Sequence, residues 1–107
     1  MHIERNHNLG QPEAIRRIDS FLDGLMSRPF PGGVTIQDPA RSWFGNTMSF
    51  SFRAKKGWVG ATIAGTLRVT DETVVLESAL PGLVTAFMSE DEIAAVINRQ
   101  FDTLFQA

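Results

Sequence analysis

Two side chains near the start of the chain are suited to proton transfer or to anion binding. Arg5 and His7 are separated by one residue, so on a strand they lie side by side on one face. An imidazole can act as a general acid or base, and a neighbouring guanidinium can hold an anion. Neither a nucleophile nor an orienting acid accompanies them at a recognisable spacing. The sequence therefore favours structural hydrogen bonding for this pair, with an acid–base or anion site as the alternative.

The densest acidic cluster is the run Glu90, Asp91 and Glu92. Metal ligands must converge on one ion, whereas consecutive residues of a helix point in different directions. Ser89 and Glu92 instead match a capping box, which marks the start of a helix. The chain also has no cysteine, no Gly-x-Ser-x-Gly nucleophile turn and no phosphate-binding loop pattern. We therefore expect no catalytic residue, no metal, no cofactor and no enzymatic activity.

Large apolar side chains next to predicted turns are the candidates for a hydrophobic docking surface. Trp58 is at an even position, whereas the apolar residues of the strand that follows it are at odd positions, and even and odd positions face opposite sides of a sheet. We therefore expect Trp58, together with Trp43, on the open sheet face or its rim. The docking candidates are Trp43, Phe44, Trp58, Phe87 and Met88. The alternative, which the sequence favours, is that they cover a sheet end or a dimer contact.

Hydrophobic periodicity predicts the elements that must position these residues. A short strand opens the chain, and apolar residues at helical spacing predict a helix over residues 12–26. Alternating segments at 34–44, 47–53, 59–69 and 74–80 predict strands joined by short turns, with a bend or bulge at 38–41. A second amphipathic helix follows Ser89. We predict a two-layer α+β fold: an antiparallel four- to five-stranded sheet with two amphipathic helices on one face, in the order β-α-β-β-β-β-α.

Length and composition are those of a single globular domain over residues 1–107. The net charge is −2, but residues 39–70 hold five basic side chains and no acid, while residues 71–107 hold seven acids and one arginine. The sequence favours packing of the basic segment beside the acidic one. Because the basic residues are dispersed and the whole chain is acidic, we expect no nucleic-acid partner. With no apolar run long enough to cross a membrane and no signal segment, we expect a cytoplasmic protein.

Taken in order along the chain, several short patterns resemble one protein family. They are Ile3-x-Arg5-x-His7-x-Leu9, Trp43-x-Gly45-Asn46-x-x-x-Phe50, Gly65-x-Leu67-x-Val69, Leu80-Pro81, and a final helix with Ile97, Arg99-Gln100, Leu104 and Phe105. Together they resemble the small bacterial polyhydroxyalkanoic acid system proteins, also called polyhydroxyalkanoate granule region proteins. The resemblance implies a link to storage polyester and its granules, without a defined molecular activity.

Three functions are compatible with this resemblance. The first is a non-enzymatic accessory protein that binds the polyester granule surface or a granule protein. The second is a carrier of acyl chains, with a cavity lined by Phe21, Phe50, Phe52, Ile63 and Phe101, although the sequence favours a filled core at these residues. The third, which we rank last, is an enzyme that acts on hydroxyacyl esters with His7 as the base. Exposed sheet edges also permit self-association in each case.

Overall fold

The computed structural model of the protein describes residues 1–25, 33–82 and 89–106. Within these ranges five strands and two long helices follow one another in the predicted order. Their bounds are β1 His2–Asn6, α1 Gln11–Leu25, β2 Val34–Phe44, β3 Thr47–Lys56, β4 Val59–Val69, β5 Thr73–Ala79 and α2 Glu90–Leu104. The strands form one antiparallel sheet in the order β1-β5-β4-β3-β2. The predicted α+β fold is confirmed, with five strands in the sheet.

Two tight turns set the register of the central strands. Two-residue loops, Gly45-Asn46 and Gly57-Trp58, join β2 to β3 and β3 to β4. Gly45 and Gly57 each have a φ of 62°, a left-handed conformation that glycine adopts without steric cost. A glycine in this conformation at the first central position is typical of the type II′ turn, whose twist matches that of the flanking strands.

A bulge interrupts β2 at the predicted place. The pairing with β3 shifts between Gln37 and Ala40, and Asp38 has a positive φ of 51°. The bulge adds one residue to β2, so the side chains that follow it change face. Since β2 is an edge strand, the bulge and Pro39 also hinder its pairing with the edge of another sheet.

The sheet has an apolar side under the helices and a polar side rich in serine and threonine. The buried apolar core consists of Ile3, Ala14, Ile18, Met48, Leu67, Val69, Val74, Leu76 and Phe101. These residues come from both helices and from every strand except β2. The core is therefore concentrated under the β1, β5 and β4 part of the sheet.

Polar contacts at the helix ends fix the position of α2. The hydroxyl of Ser89 accepts a hydrogen bond from the backbone N–H of Glu92 at 3.2 Å, as the capping pattern predicts. At the other end, the guanidinium of Arg17 on α1 donates to the carbonyl oxygens of Leu104 at 3.1 Å and of Gln106 at 2.6 Å. A cation at this end satisfies carbonyl groups that lack a partner within the helix.

Candidate functional site

His7 is held by backbone groups on both sides of its ring. Its side chain is buried, with 4% of the residue exposed. Nδ1 lies 3.3 Å from the backbone N–H of Leu9, which donates to it, and Nε2 lies 3.0 Å from the carbonyl oxygen of Thr70. This pair of contacts requires a neutral ring with its proton on Nε2. The ring also packs against Phe105, with centroids 5.3 Å apart, so neither nitrogen is left to exchange a proton with a ligand.

Arg5 binds α2 and not an open anion site. Its guanidinium donates to the backbone oxygen of Asn98 at 2.9 Å and to its side-chain oxygen at 3.0 Å. It also forms an ion pair with Asp102, one turn further along the helix. The positive charge of Arg5 thus already has a carboxylate partner. The two residues share one side of the sheet, but each binds a different part of the chain.

The docking candidates that the structure describes do not form one patch. Phe44 and Trp58 are 91% and 92% exposed, but they lie at opposite ends of β3, about 30 Å apart for a strand of ten residues. Phe87 and Met88 lie outside the described residues. The remaining candidate, Trp43, lies on the helix-facing side, where its indole N–H donates to Asp19 at 2.8 Å.

The placement of Trp43 corrects the expectation that it shares the open face or its rim with Trp58. The bulge after Gln37 is the physical reason. Before it, Val34 and Ile36 face the helices; after it, the extra residue reverses the alternation, so Arg41 and Trp43 face them instead.

A cavity of about 530 Å³ lies between the helix-facing side of the sheet and the helices. Its walls are almost entirely apolar. The five residues proposed from the sequence as an acyl-chain site, Phe21, Phe50, Phe52, Ile63 and Phe101, all line it. The sequence favours solid packing at these residues, whereas the structure leaves a cavity of the size that small-molecule sites occupy.

Element lengths and side-chain sizes explain why this space stays open. β4 has eleven residues and spans about 37 Å, whereas each fifteen-residue helix spans about 22 Å. The two described helices are therefore too short to cover the whole apolar side of the sheet. Where β3 and β4 extend furthest, Ala54 and Ala61 are paired, and neither methyl group fills the space under the sheet.

The position of Phe50 in the cavity wall depends on a glycine in the neighbouring strand. Gly65 is paired with Phe50 across the sheet, and a Cβ at Gly65 would lie 2.9 Å from the ring. The absence of a side chain lets the ring approach the β4 backbone. Phe50 then stacks with Phe52, with centroids 6.3 Å apart, and the two rings form one wall of the cavity.

The charged residues that line the cavity are Asp23, Arg41, Lys55 and Lys56. Arg41 is neutralised by α1, through ion pairs with Asp19 and Asp23. This pairing differs from the expectation that the basic segment packs against the acidic end of the chain. Within the part of the chain that the structure describes, neither lysine has an ion-pair partner. The cavity therefore has an excess of positive charge at its rim.

Two residues of this site, Lys56 and Gly65, are not among the candidates that the sequence suggests. The length of the turn after Lys56 is enough to predict the side of the sheet on which this residue lies. Because Gly57-Trp58 is a two-residue loop, Lys56 must pair with Val59, and the even positions of β3 place Lys56 on the same side as Phe50 and Phe52. The role of Gly65 depends on how close the Phe50 ring comes, which strand alternation does not specify.

No metal centre or membrane span is present in the described ranges. Among residues 1–25, 33–82 and 89–106, no three histidine or acidic side chains are grouped so that they could hold a metal ion. In the same ranges, every helix is too short or too polar to cross a lipid bilayer.

The fold and the cavity together define a small two-layer α+β protein with an apolar chamber under an antiparallel sheet. A family model with the description "Putative polyhydroxyalkanoic acid system protein" matches residues 1–105. The chain belongs to this family, as the ordered patterns in the sequence predict. Searches of curated proteins and of solved structures gave no match. The family description assigns the protein to the polyhydroxyalkanoic acid system and names no molecular activity.

Proposed function

We propose that this protein is a non-enzymatic accessory protein of polyhydroxyalkanoate metabolism that binds an apolar acyl chain in its cavity. The observation that carries the proposal is the apolar chamber of about 530 Å³ under the β2, β3 and β4 part of the sheet. Hydroxyacyl chains are the building blocks of the polyester named by the family. The non-enzymatic part of the proposal is supported by His7, whose ring nitrogens both bind the backbone.

The apolar lining gives the driving force for this binding. The cavity has room for roughly 18 water molecules at about 30 Å³ each. Water in such a chamber finds few hydrogen-bond partners, so its displacement by hydrocarbon is favourable. Burial of each CH₂ group contributes about 0.8 kcal/mol. A medium-length acyl chain therefore gains enough to offset the cost of its immobilisation.

The direct test is binding of hydroxydecanoate and decanol to the purified full-length protein, measured by displacement of a fluorescent apolar probe and by thermal shift. We expect both ligands to displace the probe and to raise the melting temperature. Ala61→Phe should place an aromatic ring in the chamber, narrow it and weaken binding. Ala64→Phe is the matched control, because Ala64 lies on the same strand but on the open side of the sheet, and it should leave binding intact.

Two results would contradict the proposal. One is a wild-type protein that no saturating ligand stabilises. The other is an Ala61→Phe variant that folds and still binds as the wild type does. Light scattering should accompany both measurements, because a dimer whose second copy covers the cavity would also exclude the probe.

A second candidate function is adsorption to the polyester granule through exposed aromatic side chains. It is favoured by Phe44 and Trp58, two large apolar residues that lie almost fully in solvent at the sheet ends. Transfer of such side chains from water to a hydrophobic surface lowers the free energy. In a co-sedimentation assay with purified granules, the double variant Phe44→Ser, Trp58→Ser should remain in the supernatant.

The cavity variant separates the two functions. If the turns carry granule binding, Ala61→Phe should sediment with granules as the wild type does. If the cavity carries it, Ala61→Phe should lose sedimentation and the double serine variant should keep it. A wild-type protein that stays in the supernatant would exclude granule adsorption.

A further inference from the structure

The helix-facing side of β3 changes from apolar to cationic along its length. From the core outwards its residues are Met48, Phe50, Phe52, Ala54 and Lys56. Successive residues on this side are about 7 Å apart. Lys56 is thus about 14 Å beyond Phe52 along the strand, at the outer rim of the cavity that both residues line.

Lys56 is placed so that its stem covers apolar surface while its ammonium group reaches water. Its neighbours in register are Val34 on β2 and Val59 on β4, which are half-buried, whereas Lys56 itself is exposed. Lysine commonly takes this arrangement at the edge of an apolar surface. A chain that enters the cavity from this end must therefore pass the ammonium group.

In residues 1–25, 33–82 and 89–106, no carboxylate pairs with this ammonium group. Lys56 forms no ion pair within the part of the chain that the structure describes. Residues 26–32 and 83–88 contain no acidic side chain in the sequence. Arg41, which also lines the cavity, is already paired with Asp19 and Asp23 on α1. Lys56 is therefore the cation available to a ligand on the cavity side of β3.

We infer that the cavity selects acyl chains with a single carboxylate head group, and that Lys56 binds this head group at the rim. The inference rests on the proposed acyl-chain binding. Lys55 also lines the cavity, but strand alternation places its Cβ on the opposite side of β3. On the helix-facing side of β3, Lys56 therefore offers one positive charge, which matches one negative charge. A phosphate-rich head group would require several convergent cations or an arginine fork. The ligand class is thus a free hydroxyalkanoic acid, or an oligomer that ends in a carboxylate.

Decanoate and decanol distinguish the head-group contact from the tail contact, because they share a chain and differ in charge. Binding is measured by displacement of a fluorescent apolar probe at low salt and mildly alkaline pH. We expect Lys56→Met to lower the affinity for decanoate about 2- to 5-fold, which is the range for a partly exposed ion pair. The affinity for decanol should stay the same. The same loss of decanoate affinity should occur in wild type at high salt. The control Arg99→Met, which removes a charge from the exposed side of α2, should not change the affinity for either ligand.

Each other outcome has a definite meaning. If Lys56→Met weakens both ligands equally, or neither of them, the head-group inference is wrong while acyl-chain binding stands. If decyl phosphate binds wild type much more tightly than decanoate, selection of a single carboxylate is wrong. If neither decanoate nor decanol binds wild type, the proposed function fails and the inference fails with it.

Discussion

Replacement of Gly65 by alanine should disturb the cavity wall from within the sheet. A methyl group there would overlap the carbonyl oxygen of Glu77 and lie 2.9 Å from both the Phe50 ring and the Cβ of Ser78. The carbonyl oxygen belongs to the β5 backbone and cannot rotate away. The clash can be relieved only if β4 and β5 separate locally and the Phe50 ring moves.

The magnitude follows from the cost of overpacking. An added methyl group in a well-packed region destabilises a protein by about 1–3 kcal/mol. A domain of this size loses about 4–8 °C in melting temperature for each kcal/mol. We therefore expect Gly65→Ala to lower the melting temperature by about 4 °C or more. Displacement of Phe50 should also weaken acyl-chain binding.

Gly60→Ala is the matched control for this prediction, since Gly60 lies on the same strand. The three atoms nearest to a Cβ at Gly60 all belong to the Arg53 side chain, with Nη2 at 2.9 Å, and the exposed guanidinium can move into solvent. Alanine also has less conformational freedom than glycine in the unfolded chain, and this difference stabilises the folded variant by up to about 1 kcal/mol. Gly60→Ala should therefore match wild type or be slightly more stable.

Urea unfolding of wild type and both variants, followed by tryptophan fluorescence and by circular dichroism, measures the difference. The slope of the free energy against urea should be the same in all three proteins, so that the midpoints report stability. If the two variants differ by less than about 0.5 kcal/mol, our explanation of Gly65 as a site of close approach is incorrect.

Two further substitutions test contacts that hold the helices on the sheet, and a third tests an ion pair within α1. Arg5→Ala removes the charged hydrogen bonds between β1 and α2 and should lower the free energy of unfolding in urea by about 1.5–3 kcal/mol. The control Arg99→Ala, on the exposed side of α2, should lower it by less than about 0.5 kcal/mol. Equal effects of the two substitutions would refute the stabilising role of the Arg5 contact. Trp43→Phe removes the indole N–H that binds Asp19 and should cost about 1 kcal/mol; an unchanged urea midpoint would refute this role. The hydrogen bond from Arg16, with another from Arg17, lowers the pKa of Glu13 from 4.5 to about 2. Because the folded pKa lies below the unfolded one, this carboxylate stabilises the fold above the unfolded pKa, and the contribution disappears as the pH falls towards 2. As the pH falls through this range, the melting temperature of Glu13→Gln should decrease less than that of wild type. Parallel curves of melting temperature against pH would contradict the prediction.

Much of the fold is encoded by residues close together in the chain. The turn at Gly45, the bulge at Asp38 and the helix start at Ser89 each depend on a few neighbouring residues. Alternation in β3 and β4, together with the helical spacing in α1 and α2, predicts which side of each element is apolar. These signals are local, so they can be read from the sequence without knowledge of the partners in space.

Other features depend on distances that only the tertiary structure sets. Whether Phe50, Phe52 and Ile63 fill a core or line a cavity depends on how much of an eleven-residue strand a fifteen-residue helix can cover. The partner of His7 is Thr70, which is 63 residues away in the chain. The face of Trp43 depends on whether the bulge holds one extra residue or two.

The amino-acid pattern alone specifies the order of the elements, the turns and the apolar sides of β3, β4 and both helices. Packing in three dimensions leaves a cavity between the layers and, within the described part of the chain, places Lys56 at its rim without an ion-pair partner. Periodicity specifies the direction of a side chain, whereas empty volume and missing counter-charges result from the packing of distant segments.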